Sequence, residues 1–466
     1  MIRTSENGLN RSFFKQILLI GVPISIQNLA QASVGFIDTA MVAQLGEITL
    51  GAVGLSQQIN FFLIIAILGL ASGGGVLITR YWGANQIDAI RSITAMTTFF
   101  SVIVSSIIAI ISFIYAEPIL FALSSGNSAI SETGAVYLKI ISLGFPITAV
   151  TISLAIQLRC VNKSQYPMYM SLISLPTAIL FNYILIYGKF GFPALGVAGA
   201  AIGTLLTRIF ELFLTIMFFG SLKNPVWNGS WRSFTAIFKM DTRRYVTNAF
   251  LKLALPITAM ELLWVIGQSF YKFSYAYLGV DSLAAYTVYE NIINLFNAGF
   301  IGLGNTAAIL IGQEIGRKRI PQAVALARNF IKTNFLLLIP TGLFLIYISP
   351  AIVSLFAMNH VASHYLHITI IAAGSSLSFK SLNFLLMTGI LRSGGDARFI
   401  AIITAIAMTL AIIATYFFIF IYQQNFYWIL TISILEESLR NLIAYRRYRS
   451  NRWLKHEDNI PITSIT

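Results

Sequence analysis

Residues 48–79 read ITLGAVGLSQQINFFLIIAILGLASGGGVLIT, with no charged side chain among them. A bilayer core about 30 Å thick is crossed by roughly 20 apolar residues in helix. This run is longer than that, so it spans with length left to tilt or to project beyond the bilayer. Reading outward from it with the same ruler predicts eleven further spans. The first six lie near 14–38, 48–79, 92–115, 135–158, 168–188 and 195–219. The second six lie near 250–276, 285–313, 328–349, 365–390, 398–421 and 426–444. Hydrophobic residues make up 57% of the chain and charged ones 10%, against about 25% charged in a soluble domain. A soluble fold is excluded. The single cysteine, Cys160, excludes a disulfide framework and a cysteine-based zinc site.

Basic residues orient the chain. With the N-terminus cytoplasmic, all but five of the 31 Lys and Arg fall in inward-facing segments. The five are Lys139, Lys189 and Lys272 on the outer side, with Arg208 and Lys380 inside spans. This is the asymmetry of the positive-inside rule, and it accounts for the net charge of +14 through anionic headgroups rather than nucleic acid. It predicts a multi-pass protein of the plasma membrane (cell inner membrane) with both termini cytoplasmic.

The chain also matches itself. Pro23-Ile24 recurs as Pro256-Ile257. At that one offset Leu45-Gly46 meets Leu278-Gly279, Gly69-Leu70 meets Gly302-Leu303, Gly83 meets Gly316, and Leu158-Arg159 meets Leu391-Arg392. A fixed register carrying Pro, Gly and Arg landmarks marks a duplication. Each half holds an even number of spans, so the repeat is parallel. The expected fold is all-α: a polytopic membrane protein with twelve transmembrane helices in two parallel-repeat six-helix bundles. Its divisions are an N-terminal lobe at 1–222, a cytoplasmic linker at 223–249, and a C-terminal lobe with a basic cytoplasmic tail at 250–466.

Several landmarks resemble a known family. Gly35-Phe36-Ile37-Asp38-Thr39-Ala40-Met41-Val42, with Leu50-Gly51-Ala52-Val53-Gly54-Leu55, is similar to the first-helix signature of multidrug and toxic compound extrusion (MATE) transporters. Gly302-Leu303-Gly304-Asn305, running on to Gly312-Gln313-Glu314, also resembles the family, Leu391-Arg392-Ser393-Gly394-Gly395-Asp396 resembles its motif after the tenth helix, and Asn182-Tyr183-Ile184-Leu185 is similar to its fifth helix. The resemblance implies a V-shaped pair of lobes exporting organic cations by antiport with Na⁺ or H⁺. Some members carry an acidic residue in helix five near Asn182, and here that carboxylate is missing.

Ionisable groups inside spans cost several kcal/mol each, about 2.5–3.5 on insertion scales, so each one is a candidate. Asp38 lies toward the outer end of the first helix, and Glu261 lies well inside the seventh. Glu290 lies in helix eight and Lys380 mid-span in helix ten. Asp38 and Glu261 are read as the carriers of the coupling cation and partial ligands of substrate. Lys380 is read as an ion-pair partner of Glu261 or Glu290, or as a competitor cation for a carboxylate. Asn182, with Gln31, Gln57, Asn60, Gln268, Asn291 and Asn294, could complete an oxygen-rich shell. Arg208 and Glu211, three residues apart, are read as a local pair, and Glu436 and Glu437 as partners of Arg440.

Other signals carry less. His360, His364 and His367 could align three imidazoles, but no acid or cysteine lies nearby. Gly73-Gly74-Gly75 follows no strand and is a packing feature, not a phosphate loop. The basic tail after Arg440 reads as a headgroup contact. No HExxH, GxSxG or Walker-type motif occurs, so neither an enzyme nor an ATP-driven pump is expected. The competing reading is a lipid-linked oligosaccharide flippase of the same broad superfamily. The partners expected are small cationic substrates and membrane lipids, with no nucleic acid. No cofactor is expected beyond Na⁺ or H⁺, and the expected state is a monomer.

Overall fold

The computed structural model describes residues 11–124, 126–221, 240–356, 358–423 and 425–454. The regular elements among them are helices: α1 (Arg11–Ala43), α2 (Glu47–Gly83), α3 (Ile87–Ile114), α4 (Ala116–Leu123), α5 (Ser128–Ser142), α6 (Phe145–Cys160), α7 (Gln165–Tyr187) and α8 (Gly196–Ser221). They continue with α9 (Met240–Tyr277), α10 (Val280–Gly316), α11 (Ile320–Ser354), α12 (His360–Phe384), α13 (Ala397–Thr415) and α14 (Phe426–Arg449). α12 and α13 run on into wider π-type turns at Leu385–Leu391 and Tyr416–Ile421.

A bilayer core holds no water to satisfy backbone N–H and C=O groups, so each spanning segment must close its own hydrogen bonds. Ten of these helices are long and apolar enough to cross a membrane. The pair α5–α6 adds an eleventh span, bent by 51°. The sequence predicts one unbroken span there. Pro146 in the first turn of α6 has no N–H to extend the ladder of α5, so the path breaks beside Gly144. α14 is long enough to span but carries Glu436, Glu437 and Arg440 along its length and arginines in its last turn. Counting it gives twelve segments, six in each repeat.

The duplication is written in the backbone. α2 and α10 begin at Glu47 and Val280 and end at Gly83 and Gly316, both on the offset that carries Pro23 onto Pro256. Left-handed positions recur in the same register at Gly46 and Gly279, Asn85 and Lys318, and Asn162 and Gly395. Gly46 and Gly279 hold φ of 108° and 118°. A Cβ is strained there, so the first turn of each half calls for glycine.

The chain forms two compact units: Met1–Ser25 with Ala259–Ile462 (unit 1), and Ile26–Thr258 with Thr463–Thr466 (unit 2). The divisions fall inside α1 and α9, two residues after Pro23 and Pro256. They do not fall in the expected linker at 223–249, of which residues 223–239 lie outside the described residues. The beginning of each repeat's first helix thus belongs with the other repeat, and the packing that holds it is duplicated.

In unit 1, Gly21 and Ser25 of α1 meet Gly302 and Thr306 of α10. A Cβ on Gly302 would lie 2.7 Å from the Gly21 carbonyl oxygen, and Ser25 Oγ donates to the Gly299 carbonyl at 3.0 Å. In unit 2, Ala254 and Thr258 of α9 meet Gly73 and Gly69 of α2. A Cβ on either glycine would lie 2.5 Å from a Cα of α9. Small residues at such crossings let backbones approach where no hydrophobic force drives helices together. The neighbouring Gly74 and Gly75 face Thr97 of α3 and Cys160 of α6, so the glycine triplet serves three helix contacts.

The tail past α14 folds back onto unit 1. Trp453 is fully buried in a core with Phe13, Phe330, Leu391 and Ile400, seated on Gly394, where a Cβ would collide with it. Arg447 Nε donates to Asp396 Oδ2 at 2.7 Å and its guanidinium lies 4.5 Å from the Phe399 ring centre. The expected headgroup role of the tail therefore fails at Arg447 and Trp453, while Arg446, Arg449 and Arg452 are exposed.

Candidate functional site

Unit 2 brings Asp38 of α1 and Asn182 of α7 together. Asn182 Nδ2 donates to Asp38 Oδ1 at 2.6 Å. Asn182 is 2% exposed, and its carbonyl Oδ1 is buried without a hydrogen-bond partner. Room for it exists because Gly203 of α8 has no side chain. The C-terminal end of α1 is pinned by the Tyr187 hydroxyl, which donates to the Met41 carbonyl at 2.9 Å. Beside this pair, Gln57 Nε2 donates to Tyr137 Oη at 2.7 Å and Asn60 Nδ2 donates to Gln57 Oε1 at 3.1 Å. Arg208 lies within electrostatic reach of Asp38, but its ion pair goes to Glu211 at 2.8 Å. Ser174 Oγ donates to the other Glu211 oxygen at 3.1 Å.

In unit 1 the acids are paired. Glu261 accepts from Arg392 at 2.7 Å, and the Arg392 side chain is 4% exposed. Glu261, expected to carry the coupling cation, therefore already has a fixed basic partner. Arg392 has a counterpart at the equivalent point of the first repeat: Arg159 donates to Gln27 Oε1 of α1 at 2.6 and 3.2 Å. Each repeat thus clasps its first helix just past the division between units, one through a carboxylate and one through an amide. Glu290 pairs with Lys272 at 3.0 Å, and both are more than a third exposed. A pair so solvated is worth about 0–1 kcal/mol. Lys380 meets neither Glu261 nor Glu290. It donates to Tyr289 Oη at 3.0 Å and stands 3.7 Å from Glu437, while Glu436 pairs with Arg440. The expected pairing of Lys380 with Glu261 or Glu290 is not formed.

Glu211, Glu261, Glu290, Glu436 and Glu437 therefore all have a basic partner within 4 Å. Among the described residues, Asp38 has none; nor do Glu132, exposed near the start of α5, and Asp281, in the first turn of α10, where it accepts from the Asn359 amide.

Comparison with known proteins fits this architecture. The MatE family model matches residues 23–184 and again residues 256–417. The chain belongs to the MatE family. The two matches begin and end in the register of the internal repeat, the first opening at Pro23 and the second at Pro256. Among curated relatives, an uncharacterized transporter of Bacillus subtilis, YisQ, is 24% identical over 442 residues, 93% of each chain. A Bacillus subtilis protein named "Probable multidrug resistance protein YoeA" is 24% identical over 402 residues, 85% of each chain. Among solved structures, a MOP superfamily transporter from Pyrococcus furiosus superposes with a TM-score of 0.82 at 18% identity, covering 96% of this chain and 98% of that one. As a MatE protein the chain is a multi-pass membrane transporter with drug-efflux relatives.

Two features of this MatE chain escaped the sequence reading. The arginine clasp had a visible signal, since Leu158-Arg159 and Leu391-Arg392 repeat in register, yet nothing local names Gln27 and Glu261 as their targets. The polar residues proposed for one shell divide between units: Gln57, Asn60 and Asn182 fall in unit 2, and Gln268, Asn291 and Asn294 in unit 1. The three histidines line an open cavity of about 410 Å³ with Ser354 and Ser363. No group of three His, Cys, Asp or Glu among the described residues is placed to hold a metal ion.

Proposed function

We propose that the chain is a secondary antiporter exporting organic cations in exchange for Na⁺ or H⁺, with Asp38 and Asn182 of unit 2 as its coupling site. The carrying observation is that Asp38, set away from the helix starts where Glu132 and Asp281 lie, lacks the ion pair that Glu211, Glu261, Glu290, Glu436 and Glu437 possess. A carboxylate held in an apolar setting without a counter-charge is costly, and it is relieved by a proton, a metal ion or the charge of a substrate. Asn182 anchors one carboxylate oxygen through its amide nitrogen and offers its unpartnered carbonyl oxygen as a neutral ligand. One carboxylate neutralises one monovalent cation at a time, so binding of either cation favours release of the other. Glu261, Glu290 and Lys380 leave the coupling set in this reading, because each already has a partner. Organic cations as cargo agree with the multidrug naming of YoeA and with a carboxylate as the recognising group. The basic-residue asymmetry supports cytoplasmic termini in the plasma membrane, and the working unit is taken as a monomer.

The test is efflux of a cationic dye from proteoliposomes under separate Na⁺ and proton gradients. Asp38→Asn removes the titratable charge and keeps the shape, so it should abolish gradient-driven efflux under whichever ion drives the normal protein. Unchanged efflux by well-folded Asp38→Asn would sink the proposal.

A further inference from the structure

Unit 1 holds a second polar cluster inside its spans, built from Tyr271 of α9, Tyr289 of α10, Lys380 of α12, and Glu436, Glu437 and Arg440 of α14. Two positive and two negative charges cancel there, in contrast to the lone carboxylate of unit 2. Arg440 Nη2 donates to Glu436 at 3.1 Å along one face of α14, which leaves Lys380 and Glu437 to each other. Their match is loose: the 3.7 Å separation exceeds the roughly 2.7–2.9 Å of a good charge-assisted bond. The ammonium makes its 3.0 Å bond to the Tyr289 hydroxyl and lies 5.8 Å from the centre of that ring.

Two oxygens of the cluster are unspent. Glu437 Oε2 and the Tyr271 hydroxyl are buried without hydrogen-bond partners, and Tyr271 lies within electrostatic reach of Lys380, Glu436, Glu437 and Arg440. The Glu437 carboxylate and the hydroxyl and ring face of Tyr289 surround the ammonium, with the Tyr271 hydroxyl in the same cluster, and these are groups that suit a monovalent cation. Here a side chain supplies the cation. The pair is not fully enclosed, since the Lys380 and Glu437 side chains remain 23% and 17% exposed.

We infer that Lys380 is a built-in cation filling a cation site of unit 1, so that coupling runs through unit 2 alone with one monovalent cation per turnover. A tethered ammonium competes at a high effective concentration, and a dissolved ion does not displace it. The count of one rests on the Asp38 reading above; the closure of unit 1 by Lys380 stands without it. Lys380 is then a specificity-determining residue, and its loss should open a second site for Na⁺ or for a proton on Glu437.

The experiment counts cations on purified full-length protein in nanodiscs. It uses radioactive Na⁺ retained at equilibrium and, separately, protons taken up between alkaline and mildly acidic pH. Asp38→Asn serves as background because it removes the unit 2 site. Adding Lys380→Gln or Lys380→Met to it should gain one cation per chain, as Na⁺ or as a proton. Adding Glu437→Gln should abolish the gain, and Lys380→Arg should give none. Added Na⁺ or acid should also raise the melting temperature of the Lys380→Gln protein, because a ligand that binds only the folded state stabilises it. A folded double variant that gains neither ion would overturn the inference. So would a chain that unfolds on loss of Lys380 and is rescued by neither ion, or an Asp38→Asn protein that keeps a full site with Lys380 intact. That last outcome would defeat the unit 2 reading as well; an unmodified protein that holds no cation would defeat the unit 2 reading alone, and the Lys380 comparison would still decide its own question.

Discussion

Replacing Arg392 by Met should damage the protein more than replacing its twin, Arg159, although the two stand at equivalent points of the repeat. Arg392→Met leaves Glu261 in the interior as a carboxylate with no counter-charge. Removing one partner of a fully buried pair costs about 3–5 kcal/mol. The Glu261 side chain is 23% exposed, and solvent screening lowers the expected loss to roughly 2–3 kcal/mol. Arg159→Met breaks hydrogen bonds to the Gln27 amide at 2.6 and 3.2 Å but strands no charge, a loss of about 1–2 kcal/mol. At roughly 2 °C per kcal/mol for units of this size, Arg392→Met should melt about 2 °C below Arg159→Met. Glu261→Gln should cost less than Arg392→Met, because it recreates the amide clasp of the other repeat. Glu261→Met combined with Arg392→Met should recover part of the loss, since both charges then leave together. Thermal unfolding in detergent followed by intrinsic fluorescence reads all five proteins. Equal losses at Arg159 and Arg392, or a Glu261→Gln protein as unstable as Arg392→Met, would refute the charge-stranding argument.

Further outcomes follow from the packing. Trp453→Ala empties a fully buried site on Gly394 and should cost about 3–5 kcal/mol, read as a lower melting temperature and as proteolytic release of the tail. Gly69→Val and Gly302→Val should each disrupt folding by more than the usual 1–3 kcal/mol of overpacking, because the new atoms meet backbone as well as side chains. Gly54→Ala, where a Cβ meets nothing within 4 Å, is the matched control in the same fluorescence assay, and a loss there equal to that of Gly69→Val would count against close packing as the cause.

The spans were legible because lipid imposes one rule on every segment, so residues 48–79 announce themselves without reference to any neighbour. The repeat was legible because glycine and proline landmarks such as Gly46, Gly279, Pro23 and Pro256 keep their register. The break between α5 and α6 had its signal in Gly144 and Pro146, but length outweighed it. Pairings between charges were hidden. Glu261 looks solitary in sequence because its partner lies 131 positions away, in the turn after another helix. Lys380 joins Tyr289 and Glu437 for the same reason, and which helix faces meet is decided by packing among many similar apolar surfaces. Asp38 and Asn182 were both singled out from sequence, yet their 2.6 Å contact depends on Gly203 leaving room, which no local pattern reveals.

The exchange of helix beginnings at Ser25 and Thr258 bears on how the chain is made. During synthesis the first repeat cannot complete its own unit, because the segment ending at Thr258 that packs against Gly69 and Gly73 has yet to emerge. The residues ending at Ser25 likewise wait for Gly302 and Thr306. Neither repeat is a self-sufficient folding body, despite a duplication that would make each look like one. A gene cut between the repeats yields two fragments that each lack a helix start held by the other, so they should accumulate only when expressed together.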